Sequence, residues 1–152
     1  MQDKPMGCDR FGSDLALAAK LTYGRRMWTS LLFVGLGGAI GACLRYATGL
    51  IFVPLGAQAA AQATLLVNVA GSLLLGLLSA WAVERAMSPT VWLFFGVGVL
   101  GAFTTFSAFS RETVMMLVDG AMVRGFVYIA ANLVGSLAAF GLGFFLLRRF
   151  LA

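Results

Sequence analysis

The charged residues of this chain are spaced so that four long stretches hold none. Between Arg26 and Arg45 lie 18 uncharged residues, between Arg45 and Glu84 38, between Arg85 and Arg111 25, and between Arg124 and Arg148 23. A helix needs about 20 predominantly apolar residues to cross a bilayer. The runs therefore predict four spans, the second run holding the end of one and all of the next. Their expected positions are Thr29–Leu50, Thr64–Val83, Val91–Leu117 and Met122–Leu147. A spanning β-barrel would alternate apolar and polar residues, and "LLVNVAGSLLLGLLSAWAV" does not alternate. Of 152 residues 61% are hydrophobic, more apolar surface than a soluble domain this small can hide. The fold class predicted is an all-α integral membrane protein.

Several function classes fall away. The net charge of +5 gathers at segment ends, where it meets lipid headgroups and sets topology rather than gripping nucleic acid. Cys8 and Cys43 are the two cysteines, and Cys43 lies inside a predicted span, which argues against a disulfide framework. With no histidine in the chain and no Cys, Asp or Glu cluster at metal-ligand spacing, zinc and histidine chemistry are excluded. "GVGVLG" at Gly96–Gly101 matches the dinucleotide fingerprint G-x-G-x-x-G, with Asp119 following. A dinucleotide site needs a soluble parallel sheet with helices on both faces. This match sits between bilayer-length runs and is read as chance.

Residues 1–26 hold eight of the 17 charged side chains, in an apolar pattern too interrupted for a secretory signal. They read as an N-terminal extension, either disordered or preceding a physiological start at Met27; a surface helix around Leu15–Tyr23 is disfavoured as too short. Residues 27–152 form the transmembrane domain. With four spans, Arg85, Arg148 and Arg149 fall on the N-terminal side and Arg45, Arg111 and Arg124 on the other. Three basic residues against three give little instruction for orientation. Counting Lys4, Arg10, Lys20, Arg25 and Arg26 makes it eight against three. The core is thus expected to insert both ways and pair head to tail with a second copy. Four helices hardly enclose a polar path alone.

Polar residues inside the spans carry the functional signal. G-x-x-x-G at Gly37–Gly41 and the pair Ser72 and Gly76 are small-residue faces for close helix packing. Arg45 is either a snorkelling arginine at a helix end or a cation drawing anions into a wet vestibule. Thr64 and Asn68 share one face of the second span, and an asparagine in hydrocarbon needs partners; it serves as helix–helix glue or as a pore-lining donor. Tyr128, Asn132 and Ser136 recur every four residues on the fourth span, a continuous polar line that points to water or an ion. Arg111 and Glu112 read as interfacial.

"GAFTTFSAF", Gly101–Phe109, raises the sharpest question. Phe103, Phe106 and Phe109 lie three apart and would cluster on one helix face. That cluster is either a core ladder or, because an aromatic ring has a positive edge, a place to meet a small anion. Thr104, Thr105, Ser107 and Ser110 can satisfy backbone groups freed by a helix break, tolerated only where protein or a cavity covers it. Gly101 is the expected break point, and freed carbonyls there would suit a small hard cation such as Na⁺.

"GGAIGACLRY" (Gly37–Tyr46), "TLLVNVAGSLLLG" (Thr64–Gly76) and "GVGVLGAFTTFSAFSRET" (Gly96–Thr113) resemble the small bacterial fluoride channels called Fluc or CrcB. The likeness runs from Met27 to the C-terminus. It implies a dual-topology antiparallel homodimer with two fluoride pores in the bacterial inner membrane, a third helix broken in mid-membrane, and a structural Na⁺ at the dimer centre. By motif, Phe106 and Phe109 would turn ring edges to fluoride. Asn68 would be the pore asparagine and Arg45 the vestibule arginine. Gly101 and Thr104 carbonyls would hold Na⁺. Thr64, Tyr128 and Ser136 would form a polar track. Asn132 stands where the family leads one to expect serine, and Ala102 where many relatives carry glycine. The implied function is passive fluoride export that lowers fluoride toxicity.

The main rival is a small dual-topology, proton-coupled multidrug exporter. Such exporters use a membrane-embedded carboxylate, which the first span lacks. A structural subunit of a larger complex is a second rival. No nucleophile–base pair or metal set suggests an enzyme.

Overall fold

A computed structural model describes residues 8–56 and 59–151. Helix α1 covers Cys8–Phe52 and ends in a 3₁₀ turn at Val53–Leu55. Helix α2 is Ala59–Glu84. The third apolar stretch holds two helices: α3, residues 89–103, and α4, Phe106–Val118. Helix α5 is Met122–Leu151. Among the described residues there is no strand. Four stretches are long and apolar enough to cross a membrane: Arg26–Phe52, Ala59–Glu84, Pro89–Val118 and Met122–Leu151. Each contains the span read from the sequence and extends it by a few residues at one end or both. The chain divides between Leu32 and Phe33 into two compact units, and the candidate site lies wholly in the second.

Of the N-terminal extension, residues 1–7 lie outside the described residues. From Cys8 onward the backbone is helical. "LALAAKL" is built from strong helix formers.

Helices α2 and α5 run parallel. Asn68 bonds Asn132 and Glu84 bonds Arg148, both pairs 64 residues apart, so the two helices climb in step. These pairs are separated by about 24 Å of helix, most of a bilayer's thickness. Between them the backbones nearly touch. A Cβ at Gly76 would overlap the Phe140 carbonyl, and one at Gly143 the Leu73 carbonyl. Without a hydrophobic effect between helices in lipid, this close van der Waals approach is what holds them.

Helices α1 and α3 use the same device. A Cβ at Gly37 would meet Phe94 O, one at Gly41 would meet Val99 O, and one at Gly98 would come 2.9 Å from the Gly37 Cα. The G-x-x-x-G face of α1 therefore seats against α3 around Gly98, while Gly96 faces the Trp92 ring of its own helix; in the dinucleotide-like match, Gly98 serves packing. Phe33 and Phe94 close this contact edge to face, centroids 6.5 Å apart. Trp92–Leu100 within α3 is wound as a π-helix, and the Gly101 N–H reaches back to Gly96 O. Such widened turns are rare in helices and concentrate at functional sites.

Candidate functional site

The third stretch loses helical geometry at Thr104 (ψ 158°) and Thr105 (φ −151°, ψ 124°). Gly101, the expected break point, is helical at φ −63° and ψ −35°. The interruption comes three residues later because other groups compete for the helix bonds there. The Thr105 N–H, which would have gone to Gly101 O, donates to Asn68 Oδ1 at 2.8 Å. The Ala108 N–H, which would have gone to Thr104 O, donates to Thr105 Oγ1 at 3.3 Å, an N-cap on α4. Asn68 Nδ2 donates to Thr105 O at 3.0 Å. The asparagine amide thus pairs with both main-chain groups of Thr105. Gly71 makes room for the joint: a Cβ there would press on the Thr104 methyl and the Phe103 ring.

Other freed groups find partners nearby. Arg45 Nε donates to Ala102 O at 3.0 Å. The arginine therefore reaches across from α1 to the last turn of α3, an arrangement neither of its sequence readings included. Thr104 Oγ1 donates back to Leu100 O, and Ser110 Oγ to Phe106 O. Gly101 O and Thr104 O are among the carbonyls that the interruption frees, since the N–H groups a continuous helix would give them go to Asn68 and Thr105 side chains. Free carbonyls at a helix interruption can ligate a small hard cation.

The interruption also breaks the expected triplet of rings. Phe103 stays with α3, against Gly71, because two extended residues separate it from the helical spacing that follows. Phe106 and Phe109 pair at 5.4 Å with an interplanar angle of 60°, and Phe109 meets Tyr128 at 5.6 Å. Phe106 is 71% exposed and Phe109 7%. Both face a groove of about 330 Å³, which Asn68, Ser72, Thr104, Thr105, Asn132 and Ser136 also line, with leucines completing the wall.

Thr64 and Tyr128 lie outside this groove, in a second polar cluster. Thr64 Oγ1 donates to Glu112 Oε1 at 3.0 Å, and the Tyr128 hydroxyl to Glu112 Oε2 at 2.6 Å. Charge-assisted bonds of this length are among the stronger ones. Glu112 in turn borders a polar recess of about 260 Å³ lined by Arg111, Asp119 and Arg124. Thr64 lies five residues into α2, so the cluster sits near one end of the span, in keeping with the interfacial reading of Glu112. The sequence pattern alone does not join Thr64 and Tyr128 to Glu112. Glu112 stands three residues after Phe109, on the same helix face, and that spacing was the available signal.

The polar residues thus form a sequence in space. The recess leads to Glu112 with Thr64 and Tyr128, next comes Phe109, and then the groove with Phe106, Asn68, Asn132 and Ser136. Among the described residues, no group of three or more His, Cys, Asp or Glu side chains could hold a metal ion.

Residues 32–144 match the family described as CrcB-like protein, Camphor Resistance (CrcB). The chain belongs to the CrcB family. Its similarity to individual members is high. It is 47% identical over 106 residues to the "Fluoride-specific ion channel FluC" of Idiomarina loihiensis, covering 70% of this chain and 82% of that one. It is 45% identical over 104 residues to the protein of that name from Shewanella woodyi (68% and 84%). The Caulobacter sp. (strain K31) protein of the same name is 42% identical over 123 residues, 80% of this chain and 96% of that one. The family match contains every residue singled out as a candidate site, from Arg45 to Ser136. In this CrcB member the groove gathers Asn68, Thr104, Phe106, Phe109, Asn132 and Ser136. Thr64 and Tyr128 join the Glu112 cluster, and Arg45 and Gly101 belong to the interruption itself.

Proposed function

We propose that this multi-pass membrane protein is a fluoride-specific channel of the bacterial inner membrane, exporting cytoplasmic fluoride passively down its electrochemical gradient. The observation that carries the reading is the groove in which the Phe106–Phe109 pair stands beside Asn68, Asn132 and Ser136, in a chain of the CrcB family. Hydrogen fluoride enters cells uncharged, dissociates at cytoplasmic pH and must leave as the anion. Fluoride holds its water tightly, so a path must offer hydrogen-bond donors and positive ring edges in exchange. Binding must also stay weak enough to release the ion. A lone unpaired cation at the narrowest point would trap it. Arg45 is bonded through its Nε to Ala102 O and does not line the groove.

The working unit in this reading is an antiparallel homodimer of dual-topology copies, with a third helix broken in mid-membrane. Its supports are the three-against-three arginine count of residues 27–152, the place of Thr104–Thr105 midway along Pro89–Val118, and the 71% exposure of Phe106, which a second copy would cover. Gly101 O and Thr104 O suit Na⁺, since a hard cation takes oxygen ligands and carbonyls freed from helix bonds can supply them. Two-fold symmetry would bring both pairs together. There the ion would neutralise converging carbonyl dipoles. Membrane lipid surrounds the remaining apolar faces.

Phe106→Ile tests the role of the rings. It keeps an apolar side chain and removes the positive edge. Fluoride efflux from liposomes is expected to fall at least tenfold with the oligomer intact, and unchanged efflux would reduce the rings to packing.

A further inference from the structure

We propose that Asn132 is a positioning residue for conduction, and that it acts by locking Asn68 onto the interrupted backbone. The inference rests on the channel reading for its functional consequence but not for its geometry.

Asn68 carries two N–H groups and one carbonyl oxygen. One N–H and the oxygen are spent on Thr105, in the manner of two paired strands. The second N–H goes to Asn132 Oδ1 at 3.0 Å. Both side-chain N–H groups of Asn68 are then committed to protein, so Asn68 serves the groove by bracing its backbone and not as a free donor. Asn132 is itself pinned, its Nδ2 donating to Tyr128 O one turn back at 3.1 Å, and it is 4% exposed. The oxygen offered to Asn68 is therefore held still from the α5 side.

The chemistry makes that oxygen decisive. An amide side chain can turn over, exchanging its oxygen and nitrogen. In the observed orientation Asn68 faces two oxygens with its nitrogen and one N–H with its oxygen. Turned over, it would set oxygen against the oxygens of both Thr105 and Asn132, and nitrogen against the Thr105 N–H. Asn132 thus adds a vote for the orientation that holds Thr105 extended. Thr105 caps α4, and the next residue is Phe106. The tether runs from Asn132 through Asn68 and Thr105 to the ring pair. A serine at 132 would be too short to make it, since its hydroxyl branches directly from Cβ. Where a chain carries asparagine here, the joint is braced from three helices instead of two.

The test uses full-length protein in lipid nanodiscs and liposomes. Leucine matches asparagine in bulk without its polar atoms, so Asn132→Leu should raise amide hydrogen exchange at Thr105 at least tenfold and lower fluoride efflux at least tenfold. Asn132→Asp, read beside the parent at a pH low enough to keep the carboxyl protonated, retains an acceptor for Asn68 and gains an O–H for Tyr128 O, and should leave Thr105 exchange within about twofold of the parent. Added to Asn68→Ala, Asn132→Leu should change neither readout further. If Asn132→Leu does not yield folded protein, Asn132→Ser carries the same expectation for exchange. Parent-like exchange in the leucine or serine variant overturns the tether. So does a further drop in efflux when Asn132→Leu is added to Asn68→Ala, which would mean that Asn132 meets the ion directly. Exchange is read without conduction, so a parent protein that passes no fluoride would sink the channel reading and leave the tether to be judged separately.

Discussion

The two halves of the third apolar stretch are held in place by different physics. Helix α3 is fixed by backbone surfaces: Gly98 lies against Gly37, and Gly41 against Val99 O. Helix α4 is fixed by polar atoms: Thr105 by Asn68, and Glu112 by Thr64 and Tyr128. The first kind of contact is intolerant of any added atom and indifferent to chemistry. The second tolerates changes of volume and is sensitive to a single donor. The residues proposed to meet fluoride lie on the second half and on the helices bonded to it. A conducting element gains from this division, because α3 supplies a rigid abutment while α4 keeps hydrogen-bonding groups facing an open groove.

The contrast can be broken at its strong end first. Gly41→Leu would drive a side chain into the Val99 carbonyl, and overpacking of this kind costs about 1–3 kcal/mol or more. The expected outcome is loss of most folded protein on solubilisation, read by size-exclusion profile and thermal denaturation. A well-behaved Gly41→Leu protein would show that α3 is not seated by its glycines.

A smaller effect is expected on the α4 side. Tyr128→Phe removes the 2.6 Å bond to Glu112 and leaves the ring contact with Phe109 in place. A lost hydrogen bond to a charged group costs about 1.5–3 kcal/mol. The protein should fold, melt several degrees lower and conduct fluoride less well. Stability and efflux both equal to the parent would mean that the Glu112 cluster is incidental.

The smallest effect lies outside both halves. Arg148 Nε and Glu84 Oε1 are 2.9 Å apart, with the arginine side chain 53% exposed. Exposed pairs are worth about 0–1 kcal/mol. Arg148→Ala should leave the melting temperature within a degree or two and efflux unchanged. A large loss would place the α2–α5 register on this ion pair instead of on Gly76 and Gly143.

The same contrast explains what could be read in the sequence. Span number and position were legible because hydrocarbon excludes charge, and the gaps between charged residues measure its thickness. The Gly37–Gly41 face was legible as a packing surface, but its partner Gly98 was hidden in a motif with another meaning. The shared faces of Thr64 with Asn68 and of Tyr128, Asn132 and Ser136 followed from helical spacing. Local sequence puts the interruption at Gly101, three residues before Thr104, because a glycine is its visible marker there. The competing group is Asn68, 37 residues away from Thr105, and no local pattern reports it. The same holds for Arg45 and Ala102 O, 57 residues apart, and for Glu112 with Thr64, 48 apart. Phe103 joins the ring cluster only on an unbroken helix, which Thr104 and Thr105 do not provide.

The central claim is that this polar line, with its ring pair, replaces the water around fluoride and around little else. Anion efflux from liposomes reconstituted with the parent protein tests it most directly. The account predicts rapid fluoride release, chloride release no faster than from protein-free vesicles, and no dependence on a proton gradient. Fluoride retained as in empty vesicles, or chloride released as fast as fluoride, would contradict it.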